Sequence, residues 1–226
     1  MRKPNKSPQN TAQRGNAMIY ILIALGLFGF LTVTMSRQNQ QADGRNLSKE
    51  NIVLYTNNLI EYTTAAQQVI TMMLTSGSQI SDLDFIPPSD ATFNTPSFIH
   101  KIFHPRGGGL NYIPSPDEDM MADITGNAGW QFQTQINVEW TKSTDEEIIL
   151  TAHKIKRDLC ENINLKITGN TTIPTLTTPI EDHFVEGVAD TDFTTTQCPD
   201  CEGYVALCVE NAAQDSYAFY TILAAQ

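Results

Sequence analysis

Four cysteines carry the most readable chemistry in this chain. Cys160, Cys198, Cys201 and Cys208 all lie in its last third. An even number of thiols in an oxidising compartment points to two disulfides, with three pairings open. A bridge from Cys160, at the end of an expected helix, into the terminal segment is favoured. Closing a loop of that length stabilises by about 3–4 kcal/mol. Cys198-x-x-Cys201 is also half of a zinc site, but Cys160 and Cys208 do not form the second close pair such sites use. A redox motif places Cys-x-x-Cys at a helix start after a strand, and Pro199-Asp200 is an atypical interior for it.

The other reactive residues are scattered. His100 and His104 have the spacing of paired ligands on a helix, yet Pro105 and Gly107-Gly108-Gly109 interrupt any helix there. The glycine triplet lacks the Gly-Lys-Ser/Thr of a phosphate loop. Asp117-Glu118-Asp119 and Asp123 offer oxygens to calcium, but not at EF-hand spacing, and they read as a solvated acidic loop. Glu181-Asp182-His183 stands in an expected loop with no nucleophile in sequence reach. Glu186, Asp190 and Asp192 join it only through tertiary folding. His153 and His183 show no triad spacing, and no hydrolase, metalloprotease, Walker or dinucleotide motif is present. No catalytic, cofactor-binding or metal residue is therefore assigned. An assembly or binding role is expected, not an enzyme.

The elements that position these residues begin with residues 17–35, AMIYILIALGLFGFLTVTM, a run of 19 without a charge. As a helix rising ~1.5 Å per residue it would span about 28 Å, close to the hydrocarbon thickness of a bilayer. Arg2, Lys3, Lys6 and Arg14 precede it with no acid among them. The chain as a whole is −11, so the remainder carries −15. That asymmetry places the head in the cytoplasm and the body outside. The acidic body repels nucleic acid and anionic lipid, and no nucleic-acid partner is expected. The run is longer than the apolar region of a cleavable signal peptide, and Thr34-Met35-Ser36-Arg37 is a poor small-residue cleavage site.

A short basic leader, then Gly15, then an apolar helix beginning at once, resembles the class III signal of type IV pilins and pseudopilins. The resemblance implies that a prepilin peptidase cuts after Gly15 and leaves Asn16 as the first mature residue. It implies that the exposed helix then packs against its copies in a filament. Asn16 stands where the family usually has Phe or Met, and Tyr20 stands where it usually has Glu.

Behind the run, Ser36 to Arg45 is polar. Ile52, Tyr55, Leu59, Tyr62, Ala66, Val69 and Met73 then recur at alternating spacings of three and four, predicting an amphipathic helix over about 47–76. Ser48 is its candidate N-cap, and Gly77 closes it. Residues 78–129 are broken by prolines and glycines and read as loops. Trp130, Phe132, Thr134, Ile136, Val138 and Trp140 alternate with polar residues, predicting a strand over 130–140. Ser143-Thr144-Asp145-Glu146 resembles a capping box, predicting a helix over 144–164, with Lys154, Lys156 and Arg157 on its solvated side. Residues 168–179 read as a loop, and 204–223 as a C-terminal hairpin.

The expected fold is α+β: a long N-terminal helix, membrane-spanning in its first half, packed on a small antiparallel sheet with one additional helix. The expected organisation is a basic cytoplasmic leader over 1–15, a transmembrane and assembly helix over 16–36, and an extracytoplasmic pilin-like domain over 37–226. The resemblance implies a structural subunit of a bacterial type IV pilus or type II secretion-like filament. Such a subunit sits in the inner membrane with its body periplasmic or extracellular, self-associating or meeting other pilin-like subunits through the N-terminal helix. The alternative is a single-pass inner-membrane protein with an extracytoplasmic sensor or ligand-binding domain. No cofactor is expected for either.

Overall fold

The computed structural model describes residues 47–211 and 216–225. Ser48 opens the first element. Its Oγ accepts the amide of Asn51, satisfying one of the donors a helix start leaves unpaired. Helix α1, Lys49–Thr75, then runs for 27 residues. Leu59, Tyr62, Ala66 and Met73 of its apolar stripe are buried, with Thr56, Thr63 and Ile70 beside them. At Gly77 the backbone turns to φ 103°, a conformation that favours glycine, and the helix is over.

Five strands follow: β1 (Gly129–Ile136), β2 (Glu147–His153), β3 (Thr175–Leu176), β4 (Ala206–Asn211) and β5 (Ser216–Ala224). Two helices join α1, namely α2 (Arg157–Thr168) and the single turn α3 (Glu181–Phe184). The sheet order is β1-β2-β5-β4-β3. β3 runs parallel to β4, so the sheet is mixed and not purely antiparallel as expected. α3 likewise exceeds the one additional helix expected, and it holds Glu181-Asp182-His183, read from sequence as loop.

Strand alternation separates two cores. On one face, Ala152 of β2, Cys208 of β4 and Phe219 of β5 pack with Leu59 of α1 and Leu159 and Ile163 of α2. Further along that face, Leu150 and Leu223 meet Tyr62, Ala66 and Ile70 of α1 together with Ile102 and Leu110 of the loops. On the opposite face, Ile149, Val209, Ala218 and Tyr220 are covered by Ile180, Phe184 and Phe193. The sheet is therefore sandwiched between the helices and the segment over 177–201.

That second cover accounts for a strand where a helix is expected. The helix expected over 144–164 is, over its first half, strand β2, and α2 begins only at Arg157. Every residue of β2 is buried because the strand lies inside the sheet with both faces covered. A strand buried on both faces carries apolar residues on both, and a short run such as Ile148-Ile149-Leu150 has no period that separates strand from helix. The resemblance to a capping box arises in an ordinary turn, where Ser143 Oγ accepts the amide of Asp145. Lys154 is not on a helix. It sits at φ 63° in the turn between β2 and α2, while Lys156 is the residue before α2. Cys160 lies in the first turn of α2, not at its end.

Smaller differences have local causes. β1 stops at Ile136, where its register against β2 shifts, so the strand expected over 130–140 is shorter. The loop expected over 168–179 contains β3. Residues 78–129 contain three single 3-10 turns and an isolated bridge between Asp84 and Lys101. Gly15, Asn16 and the apolar run over 17–35 lie outside the described residues. Among the described residues no helix is long and apolar enough to cross a membrane.

Candidate functional site

The cysteines form two bridges: Cys160–Cys208 joins α2 to β4, and Cys198–Cys201 closes a loop of the second cover. All four are fully buried. Both halves of the Cys-x-x-Cys are consumed in a disulfide inside the apolar core, so the pair is neither half of a zinc site nor an exposed redox centre.

The acidic residues do not converge. Glu186 accepts from Gln135 Nε2 at 2.8 Å, Asp190 from Gln133 Nε2 at 2.9 Å, and Asp192 from the amide of Asn137 at 2.8 Å. They are spread along β1 and fasten the second cover to that edge strand. Carboxylates placed so also blunt an edge that would otherwise recruit another strand. Asp123 pairs with Lys154 Nζ at 3.0 Å, and the Thr125 amide, helped by Lys154 and the Thr125 hydroxyl, holds its carboxyl down to about 2. Asp117 caps the turn at Glu118–Met120, and Asp119 accepts the hydroxyl of Tyr55. Among the described residues no group of acids, histidines or cysteines is arranged to hold a metal.

The histidines are structural in their contacts. His104 Nδ1 accepts the amide of Arg106, and His100 Nδ1 meets Ser78 Oγ. His183 is buried, with Nδ1 donating to the Thr191 carbonyl and Nε2 meeting the Thr178 hydroxyl at 2.6 Å. His153 is the closest approach to a catalytic set. Its Nε2 lies 3.4 Å from Ser216 Oγ and 3.4 Å from Glu181 Oε1. In a Ser-His-acid relay the acid orients one ring nitrogen and the serine faces the other. Here both face Nε2, while Nδ1 donates to the Asn127 carbonyl. The ring is also fully buried, away from any substrate.

Gly107-Gly108-Gly109 is a packing device. A Cβ on Gly107 would lie 2.3 Å from the Lys101 carbonyl, and one on Gly108 would lie 2.6 Å from Val69 Cγ1. The triplet lets the loop press onto the end of α1. Lys101, buried beneath it, donates to the carbonyls of Thr92, Phe93 and Thr95.

The chain after the triplet runs back along α1 and leaves a groove between them. Tyr62 holds this strap by donating its hydroxyl to the Asn111 carbonyl at 3.3 Å. Burial pushes the Tyr62 phenol up to about 12, so it stays a donor. The groove measures about 560 Å³, within the range of about 300–1,000 Å³ for small-ligand pockets. Leu59 and Val69 of α1 line one wall, Ile113 and Met120 the other, and Trp130 of β1 meets Tyr62 with ring centroids 4.7 Å apart.

No family of known proteins, no curated protein and no solved structure matches this chain. The walls of the groove come from residues 58–69, 109–120 and 130, each read from sequence as helix, loop or strand face. A concavity is made only when all three meet. The separate signal for it was an aromatic, Trp130, at the start of an alternating strand.

Proposed function

We propose that this chain is a pilin-like or pseudopilin-like structural subunit of a bacterial type IV pilus or type II secretion-like filament. In this reading it is anchored in the inner membrane by residues 17–35 and carries its acidic body outside. The observation that carries the reading is the N-terminal order: four cations, Gly15, then an uncharged run of 19 residues. The body is compatible with it. A 27-residue helix lies on an α+β domain closed by two disulfides, which suits an oxidising compartment. The subunit acts by association through its N-terminal helix, with a prepilin peptidase as its processing partner, and not as an enzyme.

The experiment is the mass of the mature N-terminus in a host that has the peptidase. A chain beginning at Asn16, and blocked from processing by Gly15→Ala, supports the reading. A chain beginning at Met1 overturns it.

A second reading is favoured by the groove beneath α1. In it the chain is a single-pass inner-membrane protein with an extracytoplasmic ligand-binding domain. An unprocessed N-terminus together with saturable ligand binding in the groove would support it.

A further inference from the structure

We propose that the groove between α1 and the strap over 109–117 binds a small amphipathic organic cation: an ammonium group on an aromatic or aliphatic body. The inference concerns only the folded body and holds for either reading of the N-terminus.

Three observations carry it. The first is size and surface. About 560 Å³ of space lined mainly by Leu59, Val69, Ile113 and Met120 suits one small molecule with an apolar body. The second is the pair of rings. Tyr62 and Trp130 meet at 4.7 Å and both line the groove. Aromatic faces attract cations through their quadrupole, Trp most strongly, and quaternary ammonium groups are recognised in this way. The third is charge. Glu61 and Asp117 line the groove, and no lysine, arginine or histidine does. Neither carboxylate has an ion-pair partner among the described residues.

These features sort ligands by charge. An anion meets two carboxylates and the field of a body carrying −15. A neutral compound gains burial alone. A cation gains burial, the two rings and the two carboxylates together. The strap keeps the rings in place, because the Tyr62 hydroxyl holds Asn111 from inside the groove.

The test uses the full-length chain in maltoside micelles and three probes that share a phenyl body: trimethyl(2-phenylethyl)ammonium, 2-phenylethanol and 3-phenylpropionate. The readout is the indole N–H resonance of Trp130. Trp140 is the internal control, since its indole donates to the Tyr204 carbonyl elsewhere in the fold. The ammonium is expected to move Trp130 saturably, leave Trp140 in place, and bind about tenfold more tightly than the alcohol. The propionate is expected to bind weakest. Exchanging both carboxylates, Glu61→Gln with Asp117→Asn, is expected to erase the preference for the cation while keeping binding of the alcohol. Asparagine can still cap the turn at Glu118–Met120, so this variant keeps its fold.

An unmoved Trp130 throughout the ammonium titration would overturn the proposal. Equal affinity for all three probes would do the same. So would movement of Trp130 only by a peptide of residues 1–15, whose Arg2, Lys3, Lys6 and Arg14 make it the cationic occupant of macromolecular kind.

Discussion

Asn164 and Cys208 bond each other reciprocally. Asn164 Nδ2 donates to the Cys208 carbonyl at 2.8 Å, and the Cys208 amide donates to Asn164 Oδ1 at 2.8 Å. The reason lies in the sheet. β3 meets β4 only at Glu210 and Asn211, so Cys208 has no strand neighbour on that side. A helix side chain supplies both missing bonds. Asn164 also donates to the Thr172 carbonyl at 3.0 Å, and it is fully buried. Cys160, one turn earlier on α2, makes the covalent link to the same Cys208.

Asn164→Leu is expected to destabilise the domain by about 3 kcal/mol. It leaves a buried amide and carbonyl unpaired, and each costs about 1–3 kcal/mol. For a domain of this size that is a fall in Tm of roughly 6–12 °C. Thermal unfolding followed by circular dichroism measures it. A shift under about 2 °C would show that water replaces the lost bonds.

The two disulfides should differ in what they contribute. Cys160–Cys208 spans a sequence separation of 48 and Cys198–Cys201 one of 3. Chain-entropy arithmetic assigns about 4 kcal/mol to the first and about 2 to the second. Cys160→Ala with Cys208→Ala is therefore expected to lower the urea midpoint further than Cys198→Ala with Cys201→Ala. The reverse order would mean that strain or packing, not loop closure, sets their effect. Because all four sulfurs are held in disulfides, a thiol reagent should find none in the folded protein and none on unfolding without reductant.

Which of these relationships a sequence displays depends on how local they are. α1 is visible because its stripe repeats over several turns and Ser48 announces its start. β1 is visible because one face is apolar and the other polar. β2 is hidden, because Ile148, Ile149 and Leu150 are apolar for two different cores. The partner of Cys160 is set by the sheet, which places β4 beside α2, and no local pattern records that contact. The groove was least visible of all. Tyr62 and Trp130 meet in space but lie far apart in sequence, and the strap beside them follows a path that depends on Gly107 and Gly108 fitting where no Cβ can. No periodicity records that fit.

The same fit separates two neighbouring glycines. A Cβ on Gly108 would lie 2.5 Å from the Ile102 carbonyl and 2.8 Å from Met73 Sδ. Gly108→Ala is expected to cost about 1–3 kcal/mol by overpacking. It is also expected to loosen the strap, which a weakened response of Trp130 to the ammonium probe would reveal. Gly109 has φ 67° but nothing within 4 Å of its Cβ position. Gly109→Ala bears only the strain of a left-handed alanine, about 1 kcal/mol. Equal losses in the two variants would mean that the loop shifts to admit the methyl.

Mild acid should destabilise the fold through its buried histidines. Burial holds both His153 and His183 below the ordinary 6.5, with Asn127, Glu181 and Asp123 only partly opposing this at His153. A group with a depressed folded value contributes stability that is complete above its unfolded value. That stability is lost as pH falls, because the unfolded chain takes up the proton first. Glu147 works in the opposite sense. Burial raises its carboxyl, so its contribution is present at low pH and fades as pH rises above 4.5. The histidine effect is therefore isolated by urea unfolding between about pH 7.5 and 5.5. The midpoint is expected to fall across that window, and to fall in Glu147→Gln as well. His183→Gln should flatten the slope, since it removes one of the two protons the unfolded chain gains. A midpoint that holds level or rises as the solution is acidified would show that His153 and His183 accept protons in the folded state as readily as in the unfolded one.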